Sequence, residues 1–406
     1  MKFHLHRAIK PLLLGAVALL VLGSCNKEDI TPVPIQPSAA SGQTIAALIN
    51  SDASFGILKA AIARATPSGG RQSLATLLSD STATYTVFAP TDAAFQVAFQ
   101  MLGIPSAVGI NAFSPGQLDT ILRYHIVGGE RILSDSIVKR KPNFQLPTLL
   151  ELALPSSALP PGLRMSVFPS AVGSTLWVNN VPVTAAGIAA SNGIVYKMAT
   201  PLLPPTSFLW DRISADPNLT YLKAAIRRAD EGVASASTLQ AALQNPAASL
   251  TVFAPTDAAF KQVLTLQITG ALLAQGLPQA TAQAQAAALA STPAVFTNPL
   301  LASVLSPTNV KGLVVYHLLG FRDFSVNFPT TATAYPTLLN TAIAAHPGVR
   351  LQATFGATGV TAATVKGVVN PTASNVVINP TPFTGTSDQH YVNGVIHFID
   401  QVLLPQ

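Results

Sequence analysis

Two dipeptides set the chemistry that this chain could attempt, Tyr124-His125 and Tyr316-His317, which occur once in each half of the sequence. A histidine is the side chain best suited to general acid–base work near neutral pH. Acids recur in step with it, Asp92 in the first half and Asp257 in the second. A Ser-His-Asp reading still needs a placed nucleophile, and the sequence holds no G-x-S-x-G elbow. The remaining histidines beyond the leader are His346, His390 and His397, and no pair falls at the H-x-x-x-H spacing that puts two imidazoles on one helical face. The single cysteine, Cys25, excludes both a disulfide framework and a thiolate zinc cage. Neither a phosphate-cradling P-loop nor a strand followed by G-x-G-x-x-G is present. The sequence therefore predicts no catalytic residues, no metal and no cofactor. Both histidines sit on the apolar stripe of a helix, where an imidazole typically donates to a backbone carbonyl. The two Asp residues stand where a helix N-terminus favours negative charge.

The elements that hold these residues come in two copies. The string TVFAPTDAAF occupies residues 86–95 and again 251–260 without a change. LKAAI, Tyr-His, PTLL and Asn-Gly also return in the same order, at unequal offsets, which describes two whole globular units and not a short-period solenoid. In each copy helix-spaced apolar residues come first. A strand follows, carrying Phe88 in one copy and Phe253 in the other. Pro90 and Pro255 end it, Thr91 and Thr256 are good N-caps, and Phe95 and Phe260 open the apolar stripe of the next helix. Another helix ends in Tyr-His, and strand patterns occupy the rest. Helices first and strands later predict an α+β fold. Asn192-Gly193 and Asn393-Gly394 precede the last strand of each copy and read as type I′ hairpin turns. Copy two carries roughly 27 extra residues centred on the Ala/Gln-rich stretch 271–290. That composition predicts a helical surface elaboration. The expected division is a leader over 1–24, a tether over 25–42, and domains over 43–205 and 206–406.

The repeated string, the helix ending in Tyr-His and the terminal NGVIHFIDQVLLPQ resemble the fasciclin-like domain, in two copies that cover nearly all of residues 43–406. The resemblance implies two tandem wedge-shaped β-sandwiches with helices packed at one side, and a role in surface adhesion or matrix contact. It also makes Tyr124, His125, Tyr316 and His317 candidate partner-binding residues, because in animal members the surrounding region is linked to integrin binding. The family's Asp-Ile pair before the Asn-Gly is not kept: copy one has Gly187-Ile188 and copy two Asp388-Gln389, leaving Asp388 as the one candidate there. Integrin recognition is not implied. His397 in the last strand of copy two corresponds to Tyr196 in copy one.

The N-terminus supplies the cellular context. Lys2, Arg7 and Lys10 precede an apolar run from Leu12 to Leu22, too short to span a bilayer stably. Leu22-Gly23-Ser24-Cys25 resembles a bacterial lipobox, which implies lipidation at Cys25 and anchoring through it. The Pro-rich segment that follows could hold the first domain on the order of 50 Å from a membrane, at about 3.1 Å per residue. Lys27-Glu28-Asp29 reads equally as a surface-sorting signal of an outer-membrane lipoprotein or as the solvated start of a linker. The leader holds three of the 23 basic residues and none of the 17 acidic ones, so the remainder carries only +3. Its basic residues are scattered, which argues against nucleic acid. The expectation is a non-enzymatic binding lipoprotein of the outer membrane, facing a protein or polysaccharide partner at the cell surface. The alternative is a structural accessory of an outer-membrane assembly, and an enzyme ranks below both. Binding is expected in segments that differ between the copies, chiefly 271–290 and 330–370.

Overall fold

The computed structural model describes residues 42–140, 144–152, 162–173, 175–356 and 359–406. The leader, Cys25 and the tether lie outside them. Ser41–Gln406 forms one compact unit.

In the first copy, helices α1 (Ile45–Ser51), α2 (Gly56–Arg64) and α3 (Leu74–Ser79) precede strand β1 (Tyr85–Pro90). Helices α4 (Asp92–Met101) and α5 (Pro115–Tyr124) follow, the second opened by a Ser114/Gln117 capping box with Pro115 at its first turn. After β2 (Ile126–Gly128) and α6 (Ser134–Lys139) come β3 (Leu146–Glu151), β4 (Arg164–Val167), β5 (Pro169–Val172), β6 (Thr175–Val178), β7 (Val181–Pro182), β8 (Ile188–Ala190) and β9 (Gly193–Met198). The second copy repeats the plan. It runs α7 (Leu209–Ala215), α8 (Thr220–Ala229), α9 (Leu239–Gln244), β10 (Leu250–Pro255), α10 (Asp257–Ala274), α11 (Gln279–Leu289) and α12 (Pro307–Tyr316). Strands β11 (Leu318–Leu319), β12 (Thr333–Tyr335), β13 (Val349–Gly356), β14 (Gly359–Lys366), β15 (Ser374–Asn375), β16 (Gln389–Tyr391) and β17 (Gly394–Ile399) complete it. The α+β class holds.

The central feature of each copy is a parallel pair at the middle of one sheet. β1 runs beside β9 with Phe88 opposite Tyr196, and β10 runs beside β17 with Phe253 opposite His397. The sheet orders are β4-β3-β2-β1-β9-β8 and β11-β10-β17-β16, and each faces a second sheet, β5-β6-β7 or β12-β13-β14-β15. Side chains alternate along β10 with the period of a strand. Leu250, Val252 and Ala254 enter the core under the helices, whereas Phe253 enters the core between the sheets with Leu319, Val349, Leu351 and Val365. β1 divides the same way, with Val87 and Ala89 to the helices and Phe88 to the sheets. Both Phe88 and Phe253 are 0 % exposed.

One expectation needs correction. The Asn-Gly pairs are not type I′ turns, because the hairpin loops are Ser191-Asn192 and Val392-Asn393 and the glycine is already the first paired residue of the last strand. Neither Asn192 nor Asn393 has positive φ. Each asparagine instead acts through its side chain: Asn192 Oδ1 accepts from Ile45 N at 2.8 Å and its Nδ2 donates to Leu78 O, while Asn393 Oδ1 accepts from Leu209 N at 3.0 Å and its Nδ2 donates to Leu243 O. The glycines permit close parallel packing. A Cβ on Gly193 would stand 2.0 Å from Tyr85 O, and one on Gly394 2.4 Å from Leu250 O.

The Ala/Gln-rich insertion is helical and mostly exposed, as expected, but it also packs along one side. It lengthens α10 and supplies α11, whose Ala282 and Ala286 are fully buried. Tyr221 donates its hydroxyl to Ala290 O at 2.6 Å, and Phe296 packs edge-on against Phe260. Alanine suits such a position because it lets two helices approach without losing helix propensity.

Candidate functional site

The repeated polar residues are engaged inside the fold. Thr91 and Thr256 cap α4 and α10 by accepting from Ala94 N and Ala259 N. Asp92 does more than favour its own helix terminus: its carboxylate accepts from Gly56 N and Ile57 N, capping α2 from a distance. Asp257 does the same for α8 through Thr220 Oγ1 and Tyr221 N. A role for Thr86 and Thr251 was not legible in the sequence. Each hydroxyl is buried and clamps the loop after β2 or β11, donating to Glu130 O or Phe321 O and accepting from Ile132 N or Asp323 N. Every polar side chain of the repeated ten-residue string thus has a structural partner.

The candidate partner-binding residues lie inside the protein. His125 Nδ1 donates to Ile121 O at 2.8 Å while its Nε2 accepts from Leu202 N at 2.8 Å. His317 Nδ1 donates to Leu313 O and its Nε2 accepts from Leu403 N, both at 2.9 Å. That pattern requires the neutral ring, and burial pushes both imidazoles down to about 4. His125 and His317 are each 2 % exposed, and Tyr124 and Tyr316 are fully buried, so none of the four offers a surface to a partner. Helix α5 or α12 must end in this dipeptide because its last turn is covered by the segment after the final strand. Asp388 is also buried, its carboxylate accepting from Ser325 N at 2.6 Å and Ser325 Oγ at 2.7 Å. His397 is fully buried beneath Phe253, with ring centroids 5.9 Å apart, where Tyr196 lies on Phe88 at 5.8 Å.

The two tyrosines of the repeated dipeptides have different partners. Tyr316 stays within its own domain, donating to Gly348 O at 2.7 Å. Tyr124 belongs to a junction between the domains. Arg322 donates to His390 Nε2 at 2.7 Å, so His390 Nδ1 carries the proton that faces Tyr124 Oη at 3.4 Å. Tyr124 in turn donates to Ser166 O and accepts from Asn179 Nδ2. The Arg322 guanidinium also donates to the carbonyls of Tyr391 and Val392 and lies 4.9 Å from the Phe168 ring. Burial lowers Arg322 to about 10, and burial together with the Arg322 charge holds His390 well below the usual imidazole range. Phe168 and Trp177 of the first domain pack with Phe324, Val326 and Val395 of the second in one apolar cluster.

Beside this junction opens a cleft of about 590 Å³. Met101, Trp177, Pro201 and Leu203 form one wall, and Phe324, Val360, Pro380 and Phe383 the other. No sequence signal pointed to it, since its residues come from seven separated segments. Among the described residues no group of acidic, histidine or cysteine side chains could hold a metal ion, and no single helix is long and apolar enough to cross a membrane.

The family model described as Fasciclin domain matches residues 68–204 and 231–405. Among solved structures, the chain is similar to a FAS1 domain pair from the insect cell adhesion molecule fasciclin I, at 16% identity over 79% of this chain and 88% of that one. The TM-score of that match is 0.30, too loose a superposition to bear on fold or function. No curated protein matches the chain.

Proposed function

We propose that this chain, which belongs to the fasciclin domain family and carries the domain twice, is a non-enzymatic binding lipoprotein of the bacterial outer membrane, presenting its domain pair to a partner at the cell surface. Fasciclin domains are generally adhesion or binding modules of extracellular or surface proteins. The observation that carries the reading is the fate of the repeated polar groups. Asp92 and Asp257, His125 and His317, Asn192 and Asn393 all hold backbone groups of their own domain. A catalytic base needs a lone pair or proton free for substrate, and these imidazoles have both ring nitrogens engaged. Anchoring through an acylated Cys25 fits its place after the apolar run, and two or more acyl chains would hold stably where one is marginal.

The test has two parts. Immobilised Ser41–Gln406 is exposed to envelope extracts and, in parallel, to an array of surface polysaccharides; specific retention from either supports binding, and retention from neither removes the proposal. Cell fractionation of Cys25→Ala should release a soluble form or block processing. A variant that stays membrane-bound at its mature size would contradict the anchor.

A further inference from the structure

We infer that the junction between the two domains is a proton-operated contact: protonation of His390 separates the domains while each stays folded. Arg322 donates from Nη1 to His390 Nε2 at 2.7 Å, and its other bonds go to the carbonyls of Tyr391 and Val392. The imidazole is therefore an acceptor for a buried cation and must be neutral to serve as one. On the side of the first domain, Tyr124 Oη stands 3.4 Å from Nδ1 and Phe168 meets the imidazole edge-on with centroids 5.9 Å apart. The guanidinium lies 4.9 Å from the same phenylalanine ring. Both members of the pair belong to the second domain, and the first domain covers them. A proton on Nε2 removes the lone pair that Arg322 uses and sets two positive charges within 2.7 Å of each other beneath that cover. Like charges so close repel strongly where water is excluded and only weakly where both are hydrated, so protonation favours the separated state. His390 also lines the cleft, which gives a proton a path to it from solvent.

Comparison of the two copies separates this role from what the fold itself needs. Arg131 is the counterpart of Arg322 and donates to the carbonyls of Ala190 and Ser191 at the matching hairpin. The arginine clamp on that hairpin is thus common to both domains. The histidine is not: Ala190 pairs with Gly193 as Tyr391 pairs with Gly394, so Ala189 occupies the place of His390. A titratable acceptor joins the arginine only in copy two, where this hairpin meets the other domain. The other charged groups around the imidazole are engaged. Asp388, just before it in the chain, gives its carboxylate to Ser325. From α7, which borders His390 across a small pocket, Arg212 is paired with Asp216 and Asp211 accepts from Phe208 N. The charge of Asp323, next to Arg322 in the loop, acts on Tyr335. Tyr124 and Tyr391 are both raised above the usual phenol range by burial and stay neutral. Burial and the Arg322 charge together keep His390 unprotonated in the closed junction.

The closed junction is fully favoured above the ordinary imidazole value of 6.5. Below it each pH unit raises the ratio of open to closed about tenfold, which gives roughly 100-fold by pH 4.5. The test takes Ser41–Gln406 from pH 7.5 to pH 4.5 and follows small-angle X-ray scattering, far-ultraviolet circular dichroism and acrylamide quenching of tryptophan. Trp177 is buried in the junction, whereas Trp210 is buried in the core under the helices of the second domain. The radius of gyration and the quenching are expected to rise together within this range, with the dichroism unchanged. His390→Gln keeps an amide oxygen to accept from Arg322 and cannot take up a proton, so it should stay closed throughout, although His125 and His317 titrate in it as before. If that variant does not fold, the imidazole nitrogen shifts of the parent decide: His390 should gain its proton at the pH at which Trp177 becomes quenchable. A radius and quenching that stay constant to pH 4.5 overturn the inference. So does an opening that His390→Gln retains, a loss of dichroism that coincides with the opening, or a protonated His390 with Trp177 still protected.

Discussion

The Nε2 atom of His317 accepts the backbone N–H of Leu403 at 2.9 Å, joining the end of a helix to a residue 86 positions later. His125 and Leu202 repeat the contact in the first domain. Replacing either histidine by alanine leaves a buried N–H without an acceptor and opens a cavity at the helix end. We expect His125→Ala and His317→Ala each to cost roughly 3–5 kcal/mol. Denaturant titration checks this, and a loss below about 1 kcal/mol would show that the segment is held by other contacts.

Acid should weaken the protein in a defined window. Burial holds both imidazoles at about 4 in the folded state, against an ordinary value of 6.5. Between those values the unfolded chain binds more protons than the folded one, so stability is full above about 6.5 and falls as pH drops towards about 4. Each histidine contributes on the order of 3 kcal/mol to that fall. Melting temperatures recorded from pH 7.5 to pH 4 should decline throughout the lower part of the range. A flat profile down to pH 4.5 contradicts the buried neutral pair.

Gly193→Ala and Gly394→Ala should be among the most damaging single changes. Each added methyl meets a carbonyl oxygen of the neighbouring parallel strand, Tyr85 O or Leu250 O, and backbone cannot retreat as a flexible side chain can. A loss of roughly 3 kcal/mol or more is expected, or failure to fold. Alanine at Gly312, where a Cβ meets nothing, is the control and should be neutral or better.

The domain pair should melt as a single body. Residues 43–205 expressed alone expose Phe168 and Trp177, which pack on Phe324, Val326 and Val395 in the whole chain. The half-chain is expected to fold but to melt below the intact protein, and Phe324→Ala in the intact protein should cost roughly 3–5 kcal/mol. Scanning calorimetry decides it. Equal melting temperatures for the half and the whole would mean that the junction adds nothing.

What could be read from sequence was local. The strand, the proline stop and the Thr91 cap lie within a few residues of one another, and short-range sterics and capping settle them whatever surrounds them. The partners of His125, Asn192 and Asp92 lie 77, 147 and 35 residues away, and no pattern in one sequence signals such a pairing. Asn192 was misread because its dipeptide has a familiar turn use, whereas tertiary packing uses its amide. The repeated string PTLL shows the same limit. In the first copy it lies in β3, and in the second Thr337 caps a short 3-10 turn over the same letters. The cleft was invisible for a related reason, being built from segments of both domains that meet only after folding.

The central parallel pair also sets when each domain can finish folding. β1 waits for β9 and β10 for β17, so the middle of each sheet stays vacant until the last strand of that domain has been synthesised. Pairings this distant in sequence require a long loop to close before they yield any contact, which makes folding slow and the waiting strand prone to wrong partners. For this chain the waiting strands differ only in their first residue, Tyr85 against Leu250, so β1 could accept β17, or β10 accept β9, with the correct neighbour absent. The two final strands, GIVYKM and GVIHFI, share only their leading glycine, and the mid-strand pair Tyr196 against His397 is part of what tells the partners apart.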